Sequence, residues 1–263
     1  MLDFRDVDSV LNHGLAFLRV GGVVFALPVL GDQPVPVPAR VILAAAITAA
    51  IAHTIPAAPV MPPGGDVLVL AAMVIKELVV GIAIGYLARV TFDGLLMAAS
   101  MVGYQMGFGT ASLFLPDAGQ QLDTFTSFHR VIMMTIFLLL DLHHLFIDAI
   151  LTSFMLLPLG KLTFSLAPLA DTVLTASNQI FKVALQLGAP VLVALMFTQA
   201  ALGLVARAVP QLNVFVISFP LSFAVGLVVY VATLPFFPEW MREHYLGTRD
   251  SFHTAMKAMS TVR

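Results

Sequence analysis

Three ionisable side chains in one apolar stretch are the first candidates for chemistry. Asp141, His144 and Asp148 lie within residues 124–158, a segment long and apolar enough to form a spanning helix. At spacings of i, i+3 and i+7 they would share one helix face. Carboxylates and imidazoles placed in this way could bind a metal ion or relay protons. A polar face against a partner subunit explains the pattern equally well, since no second cluster completes a coordination sphere.

Two further charges, Lys76 and Glu77, lie in the middle of the apolar segment of residues 67–90. Neighbouring residues on a helix project about 100° apart, so the two are poorly placed to pair with each other. We therefore expect each of them to meet a partner on another helix. A helix near an aqueous surface is the alternative. In the same segment Gly81 and Gly85 are four residues apart, which permits a close approach by another helix.

Arg207 is the only charge among the residues from Val183 to Pro238. Pro210, Gln211 and Asn213 follow it, and proline interrupts a helical hydrogen-bond ladder. The sequence therefore predicts a break between two apolar helices. The break is either a polar turn at the lipid headgroups or a hairpin elbow buried against other subunits, where Arg207 would need a partner.

The composition of the chain indicates the class of protein that carries these residues. The chain has 263 residues, of which 59% are hydrophobic and 11% charged, and its mean hydropathy is +0.97. Soluble domains are nearer 25% charged, so an integral membrane protein is indicated. The absence of cysteine excludes disulfides and thiolate chemistry. The net charge of −2 argues against a nucleic-acid partner. No catalytic or cofactor-binding motif is present, so we expect no enzyme, no cofactor and no dedicated metal site.

Apolar segments alternate with polar or proline-rich breaks along the chain. Pro190 and Pro220 lie inside the last two segments and should kink them. The sequence predicts an all-α, membrane-type protein of about six to eight kinked helices. The segments are residues 11–30, 41–55, 67–90, 93–107, 124–158, 171–181, 183–206 and 208–238, and residues 238–263 read as an amphipathic helix at the membrane surface or on a partner.

One predicted loop, residues 108–123, is unusually apolar. It contains Phe108, Leu113, Phe114 and Leu115, whereas a loop in solvent would be polar. Such a loop must pack against something, and long ordered loops often carry function.

Taken together, these residues resemble the FliR family of flagellar export-gate proteins, which is related to the SctT family of the virulence injectisome. The motifs lie in order along most of the chain, and the PQLNVF run is the most specific of them. They are VPAR at 37–40, KELVVGIAIGY at 76–86, GYQMG at 103–107, RAVPQLNVF at 207–215 and FPLSFAVG at 219–226.

The resemblance implies a non-enzymatic subunit of the flagellar type III export gate. Its expected partners are FliP and FliQ, with FlhB and FlhA and the exported flagellar proteins as further ones. The expected location is the bacterial inner membrane, at the flagellar basal body. Residues 1–170 would form a FliP-like half that includes the plug loop, residues 171–237 a FliQ-like hairpin and residues 238–263 the tail. The helices would be incomplete without partner subunits.

The resemblance also assigns roles to individual residues. The segment after the QMG motif, residues 108–121, would be a plug that closes the pore. The plug residues would be Phe108, Leu113, Phe114, Leu115 and Pro116, and the residues for intersubunit assembly would be Lys76, Glu77, Arg207, Pro210, Gln211, Asn213 and Phe215.

The chain departs from the family pattern in the order Leu115, Pro116, Asp117, in Leu142 before His143, and in Ser222. A different class of function, an ion or small-molecule transporter, would use Lys76, Glu77, Asp141 and His144 as a relay. Transporters usually show internal repeats of broken helices, and no clear repeat is found in this sequence.

Overall fold

The described part of the protein is helical throughout, as predicted. The structure is a computed structural model, and it describes residues 7–28, 35–55, 66–108, 124–160, 167–209, 211 and 213–260. The α-helices in these residues are α1 (Val7–Ala26), α2 (Val37–Ile51), α3 (Val67–Gln105), α4 (Thr124–Leu139), α5 (His143–Leu156), α6 (Ala167–Ala208), α7 (Val214–Thr233) and α8 (Phe237–Ser260). The all-α prediction is confirmed.

Two helices are longer than the sequence indicated. The segments predicted at residues 67–90 and 93–107 form the continuous 39-residue helix α3, and those at 171–181 and 183–206 lie within the 42-residue helix α6. Gly94 in α3 costs only about 1 kcal/mol relative to alanine, too little to end a helix that packs well. Pro190 lies inside α6, where neighbouring helices can satisfy the carbonyl that it leaves free.

Length and apolarity make several of these helices able to cross a membrane. Among the described residues, five helices meet that requirement, in α1, α2, α3, α6 and the region of α7 and α8. The pair α4 and α5 would count as a sixth span, but its helices are bent by 62° at the break between them. The predicted membrane-type architecture is therefore confirmed.

The chain folds into two compact units. Unit 1 contains the described residues of 1–90, 141–177 and 244–263, and unit 2 those of 91–140 and 178–243. Helices α3, α6 and α8 contribute residues to both units. The division into a FliP-like half, a FliQ-like hairpin and a tail concerns relatedness to other subunits and stays a prediction.

The amphipathic C-terminal helix exists as α8, but its apolar side is covered by the chain itself. In unit 1, Tyr245, Phe252 and Met256 are buried. The Tyr245 hydroxyl donates to the Ala88 carbonyl oxygen at 3.2 Å, and its ring meets Phe146 edge to face at 5.9 Å between centroids. This part of α8 thus completes a core of unit 1. The expectation that its apolar side would contact the membrane surface or a partner is wrong.

Helices α1 and α3 of unit 1 approach each other at glycines. A Cβ added to Gly85 would lie 2.7 Å from the Val23 carbonyl oxygen, and one added to Gly81 would overlap the carbonyl group of Arg19. From the other side, a Cβ on Gly22 would lie 2.9 Å from a backbone nitrogen of α3. The close approach permitted by the Gly81 and Gly85 spacing is therefore made within the chain.

Replacement of Gly81 by alanine is expected to destabilise unit 1. The added methyl group has no space beside the Arg19 backbone, so α1 would have to move, and such overpacking typically costs about 1–3 kcal/mol. The measurement is the thermal unfolding midpoint in detergent. Gly21→Ala is the matched control, because a Cβ there meets nothing within 4 Å. Equal midpoints for the two variants would contradict the packing argument.

Candidate functional site

A fully buried ion pair joins α1 and α3 in unit 1. Arg19 and Glu77 are both 0% exposed. Arg19 donates from Nε to Glu77 Oε2 at 2.6 Å, and its Nη2 also contacts that oxygen. Nη1 donates to the Ser153 hydroxyl at 3.2 Å and Nη2 to the Leu157 carbonyl at 2.9 Å. The guanidinium also lies over the Phe154 ring, 4.4 Å from its centroid.

Lys76 extends this pair into a three-charge network. Its Nζ lies 3.0 Å from Glu77 Oε1 and donates to the Pro158 carbonyl at 3.0 Å. The expectation that Glu77 meets a partner on another helix is confirmed by Arg19. The expectation that Lys76 and Glu77 do not pair with each other is wrong, because the long lysine side chain reaches back to its neighbour's carboxylate. We call Arg19, Lys76 and Glu77 the ion network.

The carbonyl groups around the network explain how one carboxylate can hold two cations. Leu157 and Pro158 follow the C-terminal end of α5. The final carbonyls of a helix have no partner within it and carry partial negative charge, which favours cations there. Sequence reasoning gave Arg19 and Ser153 no role, because no local spacing links residues so far apart in the chain.

Asp141, His144 and Asp148 do not share a helix face, and this prediction is wrong. Asp141 lies in the break between α4 and α5 with a φ of 53°, a left-handed conformation uncommon for a residue other than glycine. Asp148, in α5, instead accepts from Arg249 of α8 at 2.6 Å. The helix changes direction at residues 140–142, so the periodicity assumed for the three side chains does not continue through Asp141.

The break gathers a different trio, Asp141, His143 and His144. One potential ligand atom from each lies within 4.8 Å of the others. The Asp141 Oδ1 is 3.7 Å from His144 Nδ1 and 4.0 Å from His143 Nε2. Asp141 and His144 are exposed, as polar groups at a surface turn commonly are in proteins that bind no ion there. We therefore assign no metal-binding function to these three residues.

Arg207 and its neighbours lie at the break between α6 and α7, as the sequence predicts. Helix α6 ends at Ala208 and α7 begins at Val214. Arg207, Gln211 and Asn213 are exposed on the chain. Pro210 lies outside the described residues, and of Phe215 only the backbone is described. The structure thus confirms the break, while the assembly role of these residues stays a prediction.

Unit 2 contains an apolar cluster built from α3, α4, α6 and α7, which we call the root cluster. Among the described residues, its buried members are Ala99, Val102, Met106, Phe125, Val191, Leu195 and Tyr230, and the partly buried Phe108 packs against it. Phe108 stacks on Phe125 at 6.3 Å between centroids and meets Phe223 edge to face at 5.8 Å.

Two of the sequence motifs meet in the root cluster. Gly107 ends the helical region of α3 with a φ of 102°, the left-handed conformation that favours glycine. Met106, just before it, packs against Gly226 of α7, where an added Cβ would lie 2.8 Å from the methionine Cγ. The GYQMG and FPLSFAVG motifs therefore form one contact between α3 and α7.

Phe108 is the one plug residue that the structure describes, and it lies at the edge of the root cluster. Leu113, Phe114, Leu115 and Pro116 fall in the undescribed residues 109–123. The described residues on the two sides of that segment, Phe108 and Phe125, stack on each other. The segment therefore leaves and re-enters the described structure at neighbouring points.

These features define an all-α membrane protein held together by a buried ion network and a glycine-mediated helix crossing. The family of bacterial export proteins, family 1, matches residues 10–247. This chain belongs to that family, and its resemblance to the FliR proteins is confirmed by the relatives it matches. The family is non-enzymatic.

Three relatives illustrate the range of the family. The flagellar biosynthetic protein FliR of Bacillus subtilis (strain 168) is 30% identical over 222 residues, which are 84% of this chain and 85% of the relative. FliR of Escherichia coli (strain K12) is 32% identical over 219 residues, or 83% and 82%. Yop proteins translocation protein T of Yersinia pestis is 28% identical over 169 residues, or 63% and 65%, which confirms the relation to the injectisome.

Proposed function

We propose that this chain is a subunit of the flagellar type III protein-export gate and assembles with FliP and FliQ to form the pore for unfolded flagellar proteins. The observation that carries the proposal is the match to flagellar biosynthetic proteins over more than four fifths of the chain. By the same resemblance, FlhB and FlhA are further partners, and the gate lies in the inner membrane at the flagellar basal body.

The surface of α6 supports a role in assembly. In unit 2 this helix exposes large apolar side chains, among them Phe181 at 64%, Met196 at 63% and Phe197 at 73%. Such side chains are expected to contact lipid or other subunits, because burial of large apolar side chains away from water is favourable. This large uncovered apolar surface is what we expect of a subunit whose helices pack against partner subunits.

The residues at the α6–α7 break have a place in the same proposal. Arg207, Gln211 and Asn213 are exposed between two apolar helices, and partner side chains or carbonyls would compensate the charge of Arg207 at an interface. Lys76 and Glu77 contribute to assembly in a different manner. Their charges are compensated inside the chain, so they would act by fixing the shape of the surface that unit 1 offers to partners.

Native mass spectrometry tests the proposal. The chain would be co-expressed with FliP and FliQ of the same organism and purified through a tag on this chain alone. We expect one stable complex that contains this chain together with copies of both partners. Recovery of the chain alone, or only as a homo-oligomer, would contradict the export-gate function and favour a self-sufficient membrane protein such as a transporter.

The plug is the second part of the proposal. Phe108, Leu113, Phe114, Leu115 and Pro116 would close the resting pore, since an apolar constriction blocks water and ions by dewetting and can still be displaced by a passing chain. The support comes from the two ends of the segment. Phe108 and Phe125 stack on each other in the root cluster, so a loop that starts and ends there is anchored at one place.

A further inference from the structure

A buried hydrogen bond joins α4 to α7 within unit 2. His129 Nδ1 lies 2.8 Å from the Tyr230 hydroxyl oxygen. The two residues are 1% and 3% exposed, respectively. The His129 ring also meets Phe237 edge to face, with 5.6 Å between centroids. Neither residue is part of the motifs that carry the family resemblance, and sequence reasoning gave neither of them a role.

This bond is continuous with the root cluster. The Tyr230 ring meets Phe125 edge to face at 5.0 Å, and Phe125 in turn stacks on Phe108. Tyr230 also lies one helical turn beyond Gly226, the residue against which Met106 packs. One face of α7 therefore contacts the end of α3 and the start of α4, the two places where the chain enters and leaves residues 109–123.

The polar pair adds something that apolar contacts lack. The hydrophobic effect is non-directional, so burial of apolar side chains alone restricts the position of α4 on α7 less narrowly than a hydrogen bond does. A hydrogen bond has a narrow range of distance and angle, and its partners cannot turn to water when both are buried. His129 Nε2 has no hydrogen-bond partner among the described residues. Within the described structure, the hydrogen bond to Tyr230 is therefore what fixes the orientation of the imidazole ring.

We propose that His129 and Tyr230 are positioning residues that hold Phe108 and Phe125 in their stacked arrangement at the two ends of residues 109–123. Through these two anchors the hydrogen bond sets how easily the pore admits small solutes. The inference rests on the proposed pore function, but it concerns α4 and α7, and it assigns no contact between either residue and an exported chain. Loss of the bond should loosen the anchors without removing the apolar residues that seal the pore.

Tyr230→Phe is the sharpest test, because it deletes the hydroxyl and keeps the ring that packs on Phe125. The measurement is chloride entry into cells that produce the full chain with FliP and FliQ, divided by the amount of complex recovered from their membranes. We expect entry to rise about three- to tenfold, the range that the loss of one buried hydrogen bond implies. His129→Leu should give a rise of similar size.

Two further variants separate positioning from general destabilisation. Tyr86→Phe is the matched control, since it also deletes a phenol hydroxyl, one that lies 2.8 Å from the Ser177 hydroxyl in unit 1, and it should leave chloride entry unchanged. The double variant H129L/Y230F replaces both polar partners, so it should leak no more than either single variant. Additive leaks would mean that the two residues act independently and would overturn the proposal.

A variant lacking most of residues 109–121 distinguishes failure of this inference from failure of the pore function. If that variant leaks and Tyr230→Phe behaves like Tyr86→Phe, the positioning role is wrong and the plug stands. If none of the variants leaks, in complexes of normal yield, both the plug and the positioning role are wrong.

Discussion

Glu77→Gln is expected to unfold unit 1 or to prevent the chain from accumulating in the membrane. The substitution keeps the size of the side chain and removes the one carboxylate of the ion network, so Arg19 and Lys76 are left in a site where they are 0% and 4% exposed. Breaking a buried ion pair by removing one partner costs about 3–5 kcal/mol, because the remaining charge is uncompensated. That cost is a large fraction of the stability of a whole domain, which is about 5–15 kcal/mol.

Two measurements together check this prediction. The first is the amount of full-length chain in the membrane fraction, and the second is the thermal unfolding midpoint of whatever can be purified. Asp148→Asn is the matched control, since it also converts a carboxylate to an amide and breaks an ion pair, that of Asp148 with Arg249 at 2.6 Å. Both of those side chains are partly exposed, and exposed pairs contribute only about 0.2–1 kcal/mol. Equal effects of the two substitutions would show that the network is not desolvated.

Replacement of the whole network gives the converse result. When a buried ion pair or triad is exchanged for apolar residues of similar volume, stability is often unchanged or increased by about 1–4 kcal/mol. The triple variant R19M/K76M/E77L should therefore recover much of what Glu77→Gln loses. Such recovery would show that the network is retained for a reason other than stability, and the shape of the partner-binding surface is the reason that we propose.

The sequence identified Lys76 and Glu77, two of the three charged residues of the network, but not the geometry of the network. Lys76 and Glu77 stand out because they interrupt an apolar run. Their partners come from α1 and from the end of α5, and Arg19 is 58 residues away from Glu77 in the chain. Periodicity reports which residues share a face of one helix, and it holds no information about which other helix packs on that face. The existence of partners could therefore be predicted, but their identity could not.

The wrong prediction that Asp141, His144 and Asp148 share one helix face has a different cause. The break at residues 140–142 contains Leu140, Asp141 and Leu142 and neither proline nor glycine, so the usual signals of a helix end are missing. Asp141 nonetheless takes a left-handed conformation, which short polar side chains tolerate better than most. The opposite error occurs between residues 90 and 93 and at residue 182, where the sequence suggests a boundary but the helix continues. In both cases packing overrides the local preference.

Shortening the plug is expected to open the resting gate. Removal of residues 111–119 would delete Leu113, Phe114, Leu115 and Pro116 and leave both anchors, Phe108 and Phe125, in place. Each large apolar side chain withdrawn from a packed seal forfeits about 1.5–3 kcal/mol, and every 1.4 kcal/mol is about a tenfold change in the open population. We expect chloride entry to rise by roughly tenfold or more, while the yield of the complex with FliP and FliQ is retained.

A second variant of unchanged length shows which property of the segment seals the pore. Substitution of Leu113, Phe114 and Leu115 by serine keeps the number of residues and removes only their apolar character. If dewetting closes the pore, this variant should leak nearly as much as the shortened one. If length alone matters, it should stay closed. An intact seal in both variants, within complexes of normal composition, would mean that residues 108–121 do not form the plug and that the pore is closed elsewhere. Because Phe108 and Phe125 already stack in the chain itself, the anchors survive either change, so a leak would report on the segment between them.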